Sequence, residues 1–330
     1  MKNELQDKLT MFAENWQAIK KEFKWHSSQA KRMAAMLYAI GNKSIDCTEI
    51  KDSLSLIKRS TGIFSTFRGN MSLCVAAMLS LNENRKDVFA STVSVYELLK
   101  KEKFRVSDYL AVAACEIAAH AKPEEFQQTV SRARAFYKGM KANGAFRTGQ
   151  SDYIFSALLG LSGINVENGT DRIEQLFQRF KPEFSSRSGI QKLAQILVLG
   201  GDSDTAANRV LALNSALKNR KIRLDKAYTL PALGVFALLP ADINAIVRDI
   251  EDAKAFLKTQ KGFGTLSVSN QELLLFTAGV VASVHADDIR NDLIKSSITT
   301  SIISIIIAQL VAMMVIIVAV SAAASAATSG

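Results

Sequence analysis

KKEKFRVSDYLAVAACEIAA, residues 100–119, holds in twenty residues the pattern from which the fold class follows. Lys100, Lys101 and Lys103 run into Phe104; Ser107 and Asp108 come next; Leu110 then opens a run crowded with Ala, Val and Ile. Cations suit a helix C-terminus, where free carbonyls carry partial negative charge. A Ser or Asp suits the start of the following helix, where its oxygen accepts from free backbone N–H groups. The stretch therefore reads as one amphipathic helix ending, an aromatic turn, and a second helix that is apolar nearly all round and hence buried.

The same pattern recurs along the chain. The turn residues are Phe23, Phe64, Phe104, Phe146, Phe184, Ile222 and Phe263, at successive spacings of 41, 40, 42, 38, 38 and 41. Cap candidates follow them at Ser27, Ser65, Ser107, Ser151 or Asp152, Ser185, Asp225 and Ser269, and Gly62, Gly144 and Gly262 sit where a left-handed C-cap is expected. First helices such as 88–102, 123–141 and 242–258 keep a polar face, whereas second helices such as 111–119, 153–161 and 273–284 are apolar throughout. A fixed period near forty residues is the signature of a repeat architecture. The expectation is an all-α chain: about seven stacked helical hairpins over residues 1–290, each turn aromatic wedged between one hairpin and the next, and an apolar C-terminal segment over 291–330. The array is either an open α-solenoid or a closed α/α toroid. The turns at 143–153 and 261–264 resemble the Gly-Phe turns of toroidal prenyltransferase and terpene-cyclase repeats.

Composition agrees with this reading. Only four of 330 residues are Pro, and 48% are apolar, so helix breakers are scarce and a core is affordable. Cys47, Cys74 and Cys115 are odd in number and widely spaced, which predicts reduced, mostly buried thiols in a cytosolic setting. The first residues carry charge and no apolar signal core.

The formal charge is +10, and residues 296–330 hold none of it. A helix over 298–320 has 23 residues, about 35 Å, enough to cross a hydrocarbon core of about 30 Å. Arg290 and Lys295 precede this run and no charge follows it, so the positive-inside rule places the domain in the cytoplasm, held by a single C-terminal span in the cytoplasmic membrane. The alternative is a buried terminal helix and a cytoplasmic protein.

Searches for chemistry narrow the function. His26, His120 and His285 have no metal-ligand spacing, Gly262-Phe-Gly264 lacks the third glycine of a dinucleotide loop, and no phosphate-binding loop motif is present. No cofactor is implied. The triplet Ser-Asp-Tyr occurs at 107–109 and 151–153, which makes Asp108 and Asp152 the candidate general acid and base of a toroid enzyme acting on a lipid-linked or carbohydrate substrate, or else helix caps. Basic residues flank every turn, among them Arg68, Lys101, Arg105, Arg147, Arg220 and Arg223, which predicts contact with an anionic partner. The leading expectation is a non-catalytic scaffold at the inner membrane leaflet binding an anionic or protein partner. A soluble repeat that grips nucleic-acid phosphates is the further alternative.

The stretches 64–70 (FSTFRGN), 145–153 (AFRTGQSDY) and 188–197 (SGIQKLAQIL) resemble an uncharacterised family of Gram-positive bacteria, domain of unknown function 4003. The resemblance covers most of residues 1–290, and family members similarly end in an Ala/Ser-rich apolar tail. It implies no activity, cofactor or catalytic residue.

Overall fold

In a computed structural model, residues 3–143, 146, 148–201 and 203–291 are described; they form fourteen α-helices and no strand. These are α1 (Asn3–Glu22), α2 (Ser28–Ile40), α3 (Cys47–Ser60), α4 (Ser72–Ser80), α5 (Arg85–Lys101), α6 (Asp108–His120), α7 (Phe126–Ala142), α8 (Tyr153–Leu161), α9 (Val166–Phe180), α10 (Arg187–Leu199), α11 (Ser203–Asn219), α12 (Leu230–Leu238), α13 (Ile243–Thr259) and α14 (Asn270–Asn291). Among the described residues no helix is long and apolar enough to cross a membrane, and the 298–320 segment lies outside them. By contacts the described residues divide into two units: unit 1 takes in those up to 13, 135–148 and 162–291, and unit 2 takes in 14–134 and 149–161.

Consecutive helices pack as pairs, and the even-numbered member is the apolar one. In α4, α6, α8, α10 and α12 most side chains are buried, as their largely apolar sequence requires. In α3, α5, α9 and α13 burial is confined to one stripe, such as Ile50, Ser53 and Ile57 on α3. Close crossing depends on small residues. A Cβ on Gly160 of α8 would lie 2.7 Å from the Thr129 carbonyl oxygen and 2.9 Å from the Ala133 nitrogen of α7, so any side chain there forces the two helices apart.

The turns explain why an apolar residue recurs at each helix end. At the end of α5, Lys103 adopts the left-handed conformation (φ 66°), its N–H donates to the Lys100 carbonyl, and the Phe104 N–H donates to the Leu99 carbonyl at 3.1 Å. Lys221 (φ 56°) and Ile222 repeat this arrangement after α11. Both are Schellman motifs, in which the residue after the left-handed position is turned back onto the helix and is usually apolar. Gly262 is left-handed as expected (φ 94°), Gly62 is not, and Gly144 lies outside the described residues.

Three of the turn aromatics meet a ring of another hairpin, whereas Phe23 and Phe184 meet His26 and Phe180 of their own. Phe104 meets Tyr153 of α8 edge-on at 4.8 Å, and Phe146 meets Phe177 of α9 at 5.4 Å. Phe263 meets Phe12 of α1 at 4.9 Å within unit 1. Phe64 differs from all of these: its ring stands fully in solvent, and the buried ring of its turn is Phe67, 5.5 Å from Phe89 and 5.0 Å from Tyr96 of α5. The cause is a 3-10 turn over Thr66–Arg68, capped by Ser65, which carries the inward-facing position three residues further on. Two cap assignments also shift. Ser186 rather than Ser185 caps α10, and Asp225 is held by Arg223 and Lys218 instead of capping α12.

Candidate functional site

In unit 2 the buried helices α2, α4 and α6 share one direction. The Cys74 thiol near the start of α4 donates to the Ala30 carbonyl near the start of α2 at 3.8 Å, while Tyr38 and Ser80 bond hydroxyl to hydroxyl at 2.7 Å near their ends. Asp108, the first residue of α6, lies against Gly69 just before α4. The α1–α2, α3–α4 and α5–α6 turns therefore come to the same end of the unit.

That end is basic. Segments 20–27, 58–68 and 100–108 hold ten Lys or Arg and three Asp or Glu, whereas the opposite-end segments 41–49, 81–87 and 120–125 hold four and six. Lys20, Lys21, Lys24, Arg59, Lys101, Lys103 and Arg105 are all exposed. The basic end arises locally, because each of these turns follows the C-terminus of an outer helix, where cations complement the helix dipole.

The predicted anion-binding residues fall into three groups. Lys101 and Arg105 are exposed at this end and make no ion pair among the described residues. Arg68 is committed to the fold: its guanidinium donates to the Lys58 and Thr61 carbonyls and, at 3.2 Å, to the Thr61 hydroxyl, closing the C-terminus of α3. Arg220 and Arg223 lie at the α11–α12 turn of unit 1, each with a carboxylate partner: Arg220 faces Glu251 at 3.4 Å, and Arg223 forks onto Asp225 at 2.8–3.2 Å. The Arg223 hydrogen bonds hold the Asp225 carboxyl below its usual range. Arg147 lies outside the described residues.

The two candidate acids sit in different surroundings. Asp108 is half-buried in the first turn of α6, where Ser107 is the cap, accepting from the Leu110 N–H at 3.2 Å. Burial raises the Asp108 carboxyl above the usual range. Asp152 is fully buried and accepts from the Gly149 N–H at 2.9 Å, which is a capping role. Tyr153 beside it accepts at its hydroxyl from the Arg105 backbone N–H at 3.2 Å. A shallow depression of about 570 Å³ in unit 1 is lined by Asn143, Asn165, Glu167 and Asp171 among others, and neither candidate acid reaches it. Among the described residues no three His, Cys, Asp or Glu side chains come together to hold a metal ion.

Two features escaped the sequence reading. The first is Glu116, buried in α6 one turn before His120, with carboxylate and imidazole 3.7 Å apart. Burial pushes the Glu116 carboxyl up to about 8 and the His120 ring below its usual value, so both are neutral near pH 7. Its position in an otherwise apolar run, Ala113-Ala-Cys-Glu116-Ile-Ala, was the available signal. The second is a set of exposed apolar residues at the turns, Trp25, Ile63, Phe64, Val106 and Leu266.

A family model described as "Protein of unknown function (DUF4003)" matches residues 15–311. No curated protein and no solved structure matches the chain.

Proposed function

Taking as premise that the chain belongs to the DUF4003 family of proteins of unknown function, we propose that it is a non-catalytic helical-repeat scaffold of about seven hairpins that binds an anionic partner at the cytoplasmic membrane face. The observation that carries this reading is the charge division in unit 2, ten cations to three anions at one end against four to six at the other. A cationic surface of this kind raises the local concentration of an anionic partner and speeds its encounter. Lys24, Arg59, Lys101 and Arg105 are the residues to test, since Arg68 is used in closing α3 and Arg220 and Arg223 have carboxylate partners.

Full-length protein is expected to bind heparin with an affinity that falls at least about tenfold between roughly 50 and 200 mM salt. The combined variant Lys24→Glu, Arg59→Glu, Lys101→Glu and Arg105→Glu should lose that binding and keep its far-UV spectrum. Binding indifferent both to salt and to the four reversals would reduce the basic end to solvated surface.

The uncharged run from residue 296 supports a membrane location through an apolar helix over 298–320. The full-length protein should sediment with membranes and resist carbonate and high-salt extraction. Ile306→Arg together with Val315→Arg should release it, each mid-span charge costing roughly 2.5–3.5 kcal/mol on insertion scales. Full-length protein that stays in solution without detergent would remove the span and leave only the scaffold reading.

A further inference from the structure

We propose that the α1–α2, α3–α4 and α5–α6 turns of unit 2 form a bilayer-docking face, in which Trp25, Ile63 and Phe64 enter the boundary between headgroups and acyl chains of an anionic lipid surface. The inference rests on the anionic-partner reading above and names the class of that partner.

Three observations converge. Trp25 is 99% exposed, Ile63 78%, Phe64 101% and Val106 58%, and together with Leu266 they are the exposed large apolar side chains among the described residues. All of them lie in turns leading from an outer helix into a buried one, and the first four belong to the three turns that share one end of unit 2. An apolar residue in a soluble fold is ordinarily exposed singly and without pattern. A set confined to one end implies a medium at that end that accepts apolar side chains.

The second observation is what surrounds them. Lys24 adjoins Trp25, Lys58 and Arg59 precede Ile63 and Phe64, and Arg105 adjoins Val106. Tryptophan beside lysine and arginine is the composition of a membrane interface, where an amphipathic ring sits at headgroup depth and cations meet lipid phosphates. The opposite end of the unit has neither feature: its turns carry more acids than bases and none of the exposed large apolar residues.

The third is the form of the surface. The apolar side chains stand on three separate turns, and each turn also carries exposed cations: Lys24, Arg59 at the end of α3, and Arg105. A folded protein partner buries a contiguous patch by matching its shape. A fluid bilayer receives isolated side chains one at a time and needs no matching pocket. The fold holds the tips in place from beneath: Phe23 is buried two residues before Trp25, and Phe67 is buried three residues after Phe64.

The chain supplies its own reporter. It has two tryptophans, and Trp16 is buried with the Arg32 guanidinium 4.5 Å from its ring. Full-length protein is mixed with, or reconstituted into, phosphatidylcholine vesicles with and without phosphatidylglycerol, their acyl chains brominated, and the Trp25 signal is taken as the difference from Trp25→Phe. With phosphatidylglycerol present, Trp25 emission should shift to the blue and lose more than about half its intensity, and without it the quenching should be several-fold smaller. In the Ile306→Arg, Val315→Arg background, where the span no longer holds the protein, Trp25→Ser with Ile63→Ser and Phe64→Ser should weaken binding to the anionic vesicles at least about tenfold and leave heparin binding unchanged. These three positions are solvent-exposed, so folding is not at risk. Heparin and vesicle binding with no change in Trp25 emission would overturn the docking face and leave the anionic-partner reading standing. Loss of heparin binding in the serine variant would equally overturn it, assigning the tips to a non-lipid partner. If neither heparin nor vesicles bind at low salt, both readings fall together.

Discussion

Phe104→Ala will destabilise the protein by about 3–5 kcal/mol, while Phe64→Ala, drawn from the same place in the repeat, will change stability by less than about 0.5 kcal/mol. Phe104 fills the space between its own hairpin and the next, edge-on to Tyr153 and with the Arg134 guanidinium 5.2 Å from its ring. Removing the ring leaves a cavity that fixed helix backbones cannot close, so the lost burial and the void add. Phe64 has no such environment, and Phe67→Ala should show the larger loss in its stead. Chemical denaturation of the three variants, followed by far-UV signal, orders them. A loss below about 1 kcal/mol for both Phe104→Ala and Phe67→Ala would remove the wedge role.

That contrast shows where sequence reading stopped. The repeat period, the all-α class and the apolar character of the even-numbered helices follow from spacing and composition, and Tyr153–Leu161 begins and ends where the pattern predicts. Phe64 fits the period, at spacings of 41 and 40, better than Phe67, at 44 and 37, yet the 3-10 turn over Thr66–Arg68 makes Phe67 the buried ring. Lysine at a left-handed C-cap is hidden for a related reason: the local rule favours glycine, and at Lys103 and Lys221 the packing of the following Phe104 and Ile222 overrides it. The candidate site divides in the same way. The excess of cations near the turns is a property of the string. Whether a given cation is available is a property of three-dimensional neighbours, which is why Lys101 and Arg68 look alike in sequence and differ in the fold.

Glu116→Gln is the second substitution expected to have a large effect, and in the opposite direction. The Glu116 carboxyl is raised by burial from 4.5 to about 8, so the folded chain keeps its proton where the unfolded chain has released it. Stability therefore falls as pH rises from about 4.5, by about 1.4 kcal/mol per pH unit, and levels off near pH 8. Glutamine keeps the shape and removes the ionisation. The variant should match the natural chain near pH 4.5 and exceed it by on the order of 3 kcal/mol near pH 7. His120 works in the other sense: burial holds its pKa below 6.5, so its contribution is lost as pH falls below that value, and it is common to both chains. Denaturation midpoints across this pH range test the assignment. A constant difference between the two chains would mean that the fold does not raise the Glu116 pKa.

The contacts of the first helix set a condition on how the chain is made. Lys8 is buried against Asp287 at 2.8 Å, and Phe12 meets Phe263 and Phe276, so these first turns of α1 find their partners more than 250 residues later. At a synthesis rate of about 5–20 residues per second, that delay is roughly 13–50 s. During it Lys8 and Phe12 leave the ribosome without these partners, while hairpins such as α3–α4 and α5–α6 can close as soon as they emerge. Local pairs thus fold in order of synthesis, and the earliest residues made are among the last to be buried. A nascent chain stalled before residue 263 will expose Lys8 and Phe12 to holdase chaperones and to proteases, and release of the completed α14 will end that exposure.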